Sequence, residues 1–168
     1  MSTTATALNP AVEQVLRILE IEHRTTVKVL KALPADRLDF KPHERNWPAG
    51  QLAWHIAYAP YGLASIVAAG RFDVYQQPAT PSKLDDIVAG AESYYQQTRD
   101  VLTRLTPEQL QGSIPLPNGR TMPAHGLLWS GVLFHTIHHR GQLSIYVRMM
   151  GGKVPSIYGP SGDDNPFA

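Results

Sequence analysis

Two histidines in the last third of the chain have a spacing that suits a metal ion. His135 and His139 are four positions apart. On an α-helix this spacing places two side chains on one face, about 6 Å apart along the axis. Two neutral imidazoles in that arrangement can bind one metal ion together. The alternative is a pair of ordinary surface or core histidines, since a chain with 7 histidines can contain such a pair by chance.

A third histidine, His55, lies within an apolar stripe between Leu52 and Ala59. In helical bundles, metal sites are assembled from inward-facing side chains on different helices. Three imidazoles would leave coordination positions open for water or substrate, which is typical of catalytic rather than structural sites. The sequence therefore suggests a metal site formed by His55, His135 and His139. A lone core histidine is the alternative for His55.

Other histidines fit this site less well. His138 follows His135 by three positions but points about 100° away from His139 on a helix, so we expect it to be exposed and not a ligand. His23 is a remote candidate for a fourth ligand. A fourth protein ligand would close the site, and its absence would favour catalysis.

Four further residues could shape a pocket around the histidines. Arg140 and Gln142 are candidates for orienting a substrate, although an ordinary ion pair is the simpler role for Arg140. Trp54 and Trp129 are candidates for the pocket walls. The HExxH zinc motif, the phosphate-binding glycine motifs and the GxSxG nucleophile motif do not occur in the sequence.

Composition excludes several classes of function. The 15 basic and 14 acidic residues leave a net charge of +1, which argues against nucleic acid as a partner. The chain has no cysteine, so it has no disulfide and no thiolate nucleophile of its own. Residues 1–10 show no signal-peptide pattern, and no uninterrupted apolar run approaches the roughly 20 residues of a membrane span. We expect a soluble cytoplasmic protein without membrane partners.

Apolar periodicity predicts the helices that must position these residues. After a frayed start, long helices are expected at about 10–32, from Asn46 to Gly70, at about 82–105 and at about 121–150. Asn46, Ser82 and Thr121 are the predicted N-caps. Pro60 is expected to kink the second helix or to end its first half. The pattern predicts an all-α protein with one domain over residues 1–168.

The connections between these helices are long. Prolines and charged residues predict a loop over 33–47. Thr106 begins a capping-box pattern, which predicts a short extra turn of helix. The Asn118-Gly119 pair predicts a brief β-hairpin just before the last helix, through a two-residue turn. We expect residues 153–168 to be irregular because they are rich in glycine, proline and aspartate.

Two segments resemble the DinB/YfiT-like metal-binding bundles. Residues 52–56 read Leu-Ala-Trp-His-Ile, and residues 135–144 read His-Thr-Ile-His-His-Arg-Gly-Gln-Leu-Ser. Both are similar to family elements, in the same order. The resemblance implies an up-down four-helix bundle with a long crossover, usually a homodimer. It also implies that His55, His135 and His139 are the ligands of a divalent ion, commonly nickel, zinc, manganese or iron.

The same resemblance implies chemistry on small molecules. Some relatives transfer low-molecular-weight thiols such as bacillithiol, and others isomerise maleylpyruvate with mycothiol. The isomerase type has glutamate at the position of His135, which disfavours that activity here. We therefore expect a metal-dependent transfer of an external thiol to an electrophilic small molecule. The alternatives are a metal-dependent hydrolase, a non-catalytic metal-binding stress-response homodimer, and a bundle without metal.

Overall fold

A computed structural model describes residues 8–167, and four long helices dominate this part of the chain. The all-α prediction is confirmed, while the predicted frayed start at residues 1–7 lies outside the described residues. The last long helix, called the C-terminal helix below, runs over 124–149 and contains a π-helical segment. The elements are α1 (Pro10–Lys31), α2 (Ala49–Ala69), a 3₁₀ turn (Phe72–Val74), α3 (Leu84–Thr103), α4 (Pro107–Gln111), β1 (Ser113–Pro115), β2 (Thr121–Pro123), α5 (Ala124–Leu127), the π segment (Leu128–His135) and α6 (Thr136–Met149).

The four long helices form a bundle in which α1 and α2 each pack against α3 and the C-terminal helix. The end of α1 lies beside the end of the C-terminal helix, where Ala32 approaches Gly152. The start of α2 lies beside the start of α3, where Trp54 approaches Gly90. Consequently α2 and α3 run in the same direction, and residues 70–83 carry the chain back along the bundle as a long crossover.

The bundle interior consists of two apolar clusters separated by polar side chains. One cluster joins the end of α1 to the starts of α2 and α3 and to the end of the C-terminal helix. The other joins the opposite ends of the same helices. Buried polar residues occupy the middle, and each needs a partner there because desolvation of an unpaired polar group is costly. These buried polar residues include Glu22, Thr26, His55, Thr136 and Arg140.

The second helix is apolar because it lies in the core. α2 is long and apolar enough to cross a membrane, but 67% of its most apolar window is buried inside the bundle. Pro60 lies within this helix without ending it, so of the two alternatives predicted at this position the end of the first half is wrong, and the kink stays a prediction.

Three predicted N-caps are wrong, because the observed N-cap residues lie one or two positions later. Proline precedes α2 at position 48 and the C-terminal helix at position 123. Proline fixes its own φ and can stand at a helix start without a capping side chain. Asn46 therefore lies in the preceding loop and Thr121 in β2. Lys83, not Ser82, precedes α3.

The predicted hairpin and capping box are both present. β1 and β2 pair antiparallel with Ile114 opposite Met122. The turn is longer than the predicted two-residue turn, because Leu116 N–H donates to the carbonyl of Arg120 and Gly119 takes a positive φ of 79°. Thr106 caps α4 through a complete capping box. Residues 153–167 contain no helix or strand, as predicted.

Candidate metal centre

The structure brings His55, His135 and His139 together. One ring nitrogen from each lies within 4.8 Å of the others. The closest pair is His55 Nε2 and His135 Nε2, at 2.8 Å. The three rings meet nearly edge to face, with centroids 4.4–5.0 Å apart. Within residues 8–167, no other histidine, aspartate or glutamate joins this group, so it would supply three ligands to an ion.

Amide side chains fix two of the three imidazoles. His55 Nδ1 lies 2.9 Å from Gln77 Oε1, and His139 Nδ1 lies 2.7 Å from Gln142 Oε1. A carboxamide oxygen can only accept, so Nδ1–H is the donor in both bonds. Each of these rings, when neutral, then carries its lone pair on Nε2. This is the usual outer-shell arrangement for metal-binding histidines, in which the partner fixes the tautomer and the ring orientation.

The close approach of nitrogen atoms in the centre fits a cation. In a neutral His55, the bond to Gln77 places the proton on Nδ1. The Nε2 atom of His55 then carries a lone pair, and it lies 2.8 Å from Nε2 of His135. A proton on His135 or a positive ion must lie between two such atoms, because two lone pairs repel each other. Three neutral imidazole nitrogens are suitable ligands for nickel, zinc, copper or iron.

Burial and neighbouring histidines favour the uncharged forms of His135 and His139. Burial, with the nearby His139 and His55, lowers the pKa of His135 to about 4. Burial likewise lowers the pKa of His139, although its bond to Gln142 opposes that change. The charged form is disfavoured because it loses solvation and would stand beside other charged rings. At neutral pH these two side chains are therefore neutral, which is the form that binds metal.

The π segment ends at His135, the first of the two candidate ligands on the C-terminal helix. Leu128–His135 follows π-helical geometry, and α-helical geometry resumes at Thr136. A π-helical turn holds more residues than an α-helical turn and often occurs at functional sites. Gly131 lies inside the segment, where an added Cβ would come within 2.8 Å of the Leu127 side chain. Periodicity alone predicts a continuous α-helix here, so no pattern in the sequence indicates the π segment.

Trp47 borders the centre, although the sequence interpretation selected other tryptophans. Its ring packs edge-on to His55 at 5.1 Å and nearly parallel to His139 at 6.3 Å. The two tryptophans predicted to form the walls of the pocket, Trp54 and Trp129, lie elsewhere. The Trp54 indole donates to the carbonyl of Pro78, and Trp129 packs against Phe134. No helical periodicity could indicate Trp47, because it lies in the loop before α2.

The proposed substrate role of Arg140 is wrong. Its side chain is 1% exposed and forms an ion pair with Glu22 at 2.7 Å. It also donates to the Tyr158 hydroxyl at 2.7 Å, and that hydroxyl donates to Glu22. The guanidinium thus joins α1 to the C-terminal segment and is unavailable to a substrate. The simpler expectation of an ion pair is confirmed, but the pair is buried rather than on the surface.

The remaining histidines lie outside the group. His138 is exposed, as expected, and its ring centroid is 5.1 Å from that of His139. His23 stacks on Tyr95 at 4.0 Å and binds Glu92 at 2.8 Å, so it is not a fourth ligand.

Comparison with known proteins gives the family of the chain. The sequence pattern of the DinB family matches residues 1–165. The chain belongs to the DinB family. The uncharacterized protein YrdA of Bacillus subtilis is 31% identical over 157 residues, which cover 89% of each chain.

Solved structures show the same architecture. A DinB-like protein from Bacillus cereus has a TM-score of 0.72 and 26% identity, covering 87% of this chain and 97% of the other. A mycothiol-dependent maleylpyruvate isomerase variant has a TM-score of 0.58 at 14% identity, covering 86% of this chain and 62% of the other. The second likeness shows a shared fold and does not assign an activity.

Proposed function

We propose that this DinB-family protein binds one divalent metal ion through His55, His135 and His139 and catalyses a reaction of a small molecule there. The observation that carries the proposal is the convergence of three imidazoles, two of them oriented by amide oxygens, with no fourth protein ligand among residues 8–167. Nickel, zinc, manganese and iron are the candidate ions. Such an ion would supply Lewis acidity and favour the ionised form of a thiol or of water.

We further propose that the reaction is the transfer of a low-molecular-weight thiol to an electrophile. The chain has no cysteine, so the sulfur must come from an external cofactor. In the overall reaction the thiol sulfur forms a bond to an electrophilic carbon, the leaving group departs with the bonding electrons, and the thiol proton passes to water. The residues of this chain would hold the reactants together, which lowers the entropic barrier.

The protein side chains have separate roles in this proposal. Gln77 and Gln142 hold the ligand rings in place by accepting from Nδ1–H. Trp47 shields one side of the centre from water, since its ring covers His55 and His139. Tyr146 fixes this position of the loop, because its hydroxyl donates to the Trp47 carbonyl at 3.2 Å.

The first test is the metal content of untagged protein, measured by plasma mass spectrometry. We expect about one ion per chain in the wild type, with loss of the ion in His139→Ala. His138→Ala is the matched control, because this neighbouring histidine is exposed and outside the group. Equal losses in both variants, or no metal in the wild type after incubation with nickel, zinc and manganese, would refute the ligand assignment.

The second test is turnover. Metal-loaded protein is incubated with a chlorodinitrobenzene electrophile and with bacillithiol, mycothiol, glutathione or coenzyme A in turn, and the release of chloride is followed. Turnover that requires both metal and thiol supports thiol transfer. Hydrolysis of ester or amide probes without a thiol would instead support the hydrolase alternative. Metal binding with neither reaction would support the non-catalytic alternative.

A homodimer and a cytoplasmic location also belong to the proposal. Phe134, Ile145 and Met149 are each more than half exposed, and their spacing places them along one side of the C-terminal helix. Exposed apolar side chains that share a face favour association with a second copy. We propose that this side forms the dimer contact.

A further inference from the structure

We infer that the cleft beside the metal centre selects small molecules that carry a carboxylate on a flat, apolar body, with Arg45 binding the carboxylate and Trp47 contacting the body. This inference rests on the proposed function, since it names the substrate class of the same site. It concerns residues of the loop before α2, none of which is among the three metal-ligand candidates.

The cleft opens at the metal centre itself. It has a volume of about 190 Å³ and is lined by residues of the loop, of α2 and of α6. His139 forms part of its wall, so a molecule in the cleft would lie against one of the candidate ligands. This volume lies below the roughly 300–1,000 Å³ of pockets for drug-sized ligands, so the expected occupant is a smaller organic molecule and not a folded partner. The other lining residues are Arg45, Asn46, Trp47, Leu52, Gln142 and Tyr146.

The charged group in this cleft is Arg45. Within residues 8–167, none of the ion pairs uses its guanidinium. The residues that line the cleft include no aspartate or glutamate that would compete for the arginine. A guanidinium binds a carboxylate through two parallel hydrogen bonds, and this planar geometry favours carboxylates over neutral groups.

Trp47 and Leu52 supply the apolar surface. Trp47 is 44% exposed, which is unusual for a large aromatic residue that also packs on two histidines. An exposed indole offers a flat surface on which an unsaturated or aromatic body can stack. The loop is held in place before any ligand arrives, because Ala49 N–H donates to the Phe40 carbonyl and Tyr146 donates to the Trp47 carbonyl. Little ordering is therefore required on binding.

The inference is tested by nuclear magnetic resonance on metal-free, ¹⁵N-labelled full-length protein at neutral pH and constant ionic strength. Benzoate is the probe and benzamide is its neutral counterpart. The indole N–H signal of Trp47 is assigned by its disappearance in Trp47→Phe. We expect benzoate to shift this signal in a saturable way. Benzamide should bind about tenfold more weakly, since it lacks the charge-assisted bonds.

Substitution of the arginine separates binding in the cleft from other effects. Arg45→Gln should weaken benzoate binding about five- to tenfold and leave benzamide binding unchanged. Arg17→Gln is the matched control, because Arg17 is an exposed arginine on α1 outside the cleft. No saturable shift of the Trp47 signal, or equal binding of benzoate and benzamide, overturns the inference. Equal benzoate affinity in Arg45→Gln and wild type also overturns it.

The result of the benzoate titration does not depend on whether the three histidines bind a metal ion. These titrations use metal-free protein, so failure of the three histidines to bind an ion leaves the result unaffected. Conversely, if the protein binds a metal ion but not benzoate, the proposed metal site stands and the inferred substrate class is wrong.

Discussion

Gln77 offers the sharpest test of how the candidate metal centre is organised. It lies in the crossover and accepts from His55 Nδ1 at 2.9 Å. The next oxygen, the Tyr75 hydroxyl, is 3.5 Å from the same nitrogen and is poorly placed to replace it. Gln77→Leu removes the acceptor while keeping a side chain of similar size. The Nδ1–H donor of a buried histidine then loses its partner, and the ring loses its fixed orientation.

The expected loss of metal affinity in Gln77→Leu follows from the position of the hydrogen bond between Gln77 and His55. Loss of an outer-shell partner typically weakens metal binding 10- to 100-fold. His55 is 9% exposed, so water replaces the lost acceptor poorly, and we expect at least a tenfold rise in Kd, or about 1.4 kcal/mol. Gln142→Leu should have a smaller effect, about threefold, because its bond to His139 is exposed to water.

The assay is a competition titration against a chromophoric zinc chelator, with untagged protein at neutral pH. Gln76→Leu is the matched control, because this neighbouring glutamine is exposed. Gln77→Glu keeps an acceptor and should bind zinc at least as tightly as the wild type. If Gln77→Leu binds like the wild type, or if the glutamate and leucine variants lose equal affinity, the outer-shell role assigned to Gln77 is wrong.

Three further predictions concern stability and assembly. Arg140→Met leaves the Glu22 carboxylate buried without its ion pair, so we expect a loss of about 3–5 kcal/mol in urea unfolding. The double variant Arg140→Met, Glu22→Gln should lose less free energy of unfolding than Arg140→Met alone, and an equal or larger loss would contradict this explanation. In metal-free protein the pKa of His135 is about 4 against 6.5 when unfolded, so the unfolded state binds the proton first as pH falls. The free energy of unfolding should decrease between about pH 6.5 and 4 by at most about 3 kcal/mol, and His135→Gln should flatten this part of the profile. Ile145→Glu should convert a dimer into a monomer in light scattering, whereas Ile145→Leu should not, and an unchanged mass for both would exclude this side as the contact.

The sequence was sufficient to predict the helices and the candidate ligands. His135 and His139 are four positions apart on one helix, and this spacing is a local property that survives folding. His55 stands in an apolar stripe, which marks the side of α2 that faces the core. The helix starts were less accurate, because Pro48 and Pro123 could replace the capping side chains that the pattern indicated.

The surroundings of these histidines depended on contacts between residues far apart in the chain. Gln77 lies 22 positions from His55, and Glu22 lies 118 positions from Arg140. Neither partner belongs to a periodic pattern that points to the other. Trp47 is in a loop, whose path is fixed by hydrogen bonds to the packed helices rather than by its own propensity. The residue types and local spacings thus determined the helices and the candidate metal ligands, whereas packing of the bundle decided which side chains orient those ligands, because such contacts exist only after the helices have assembled.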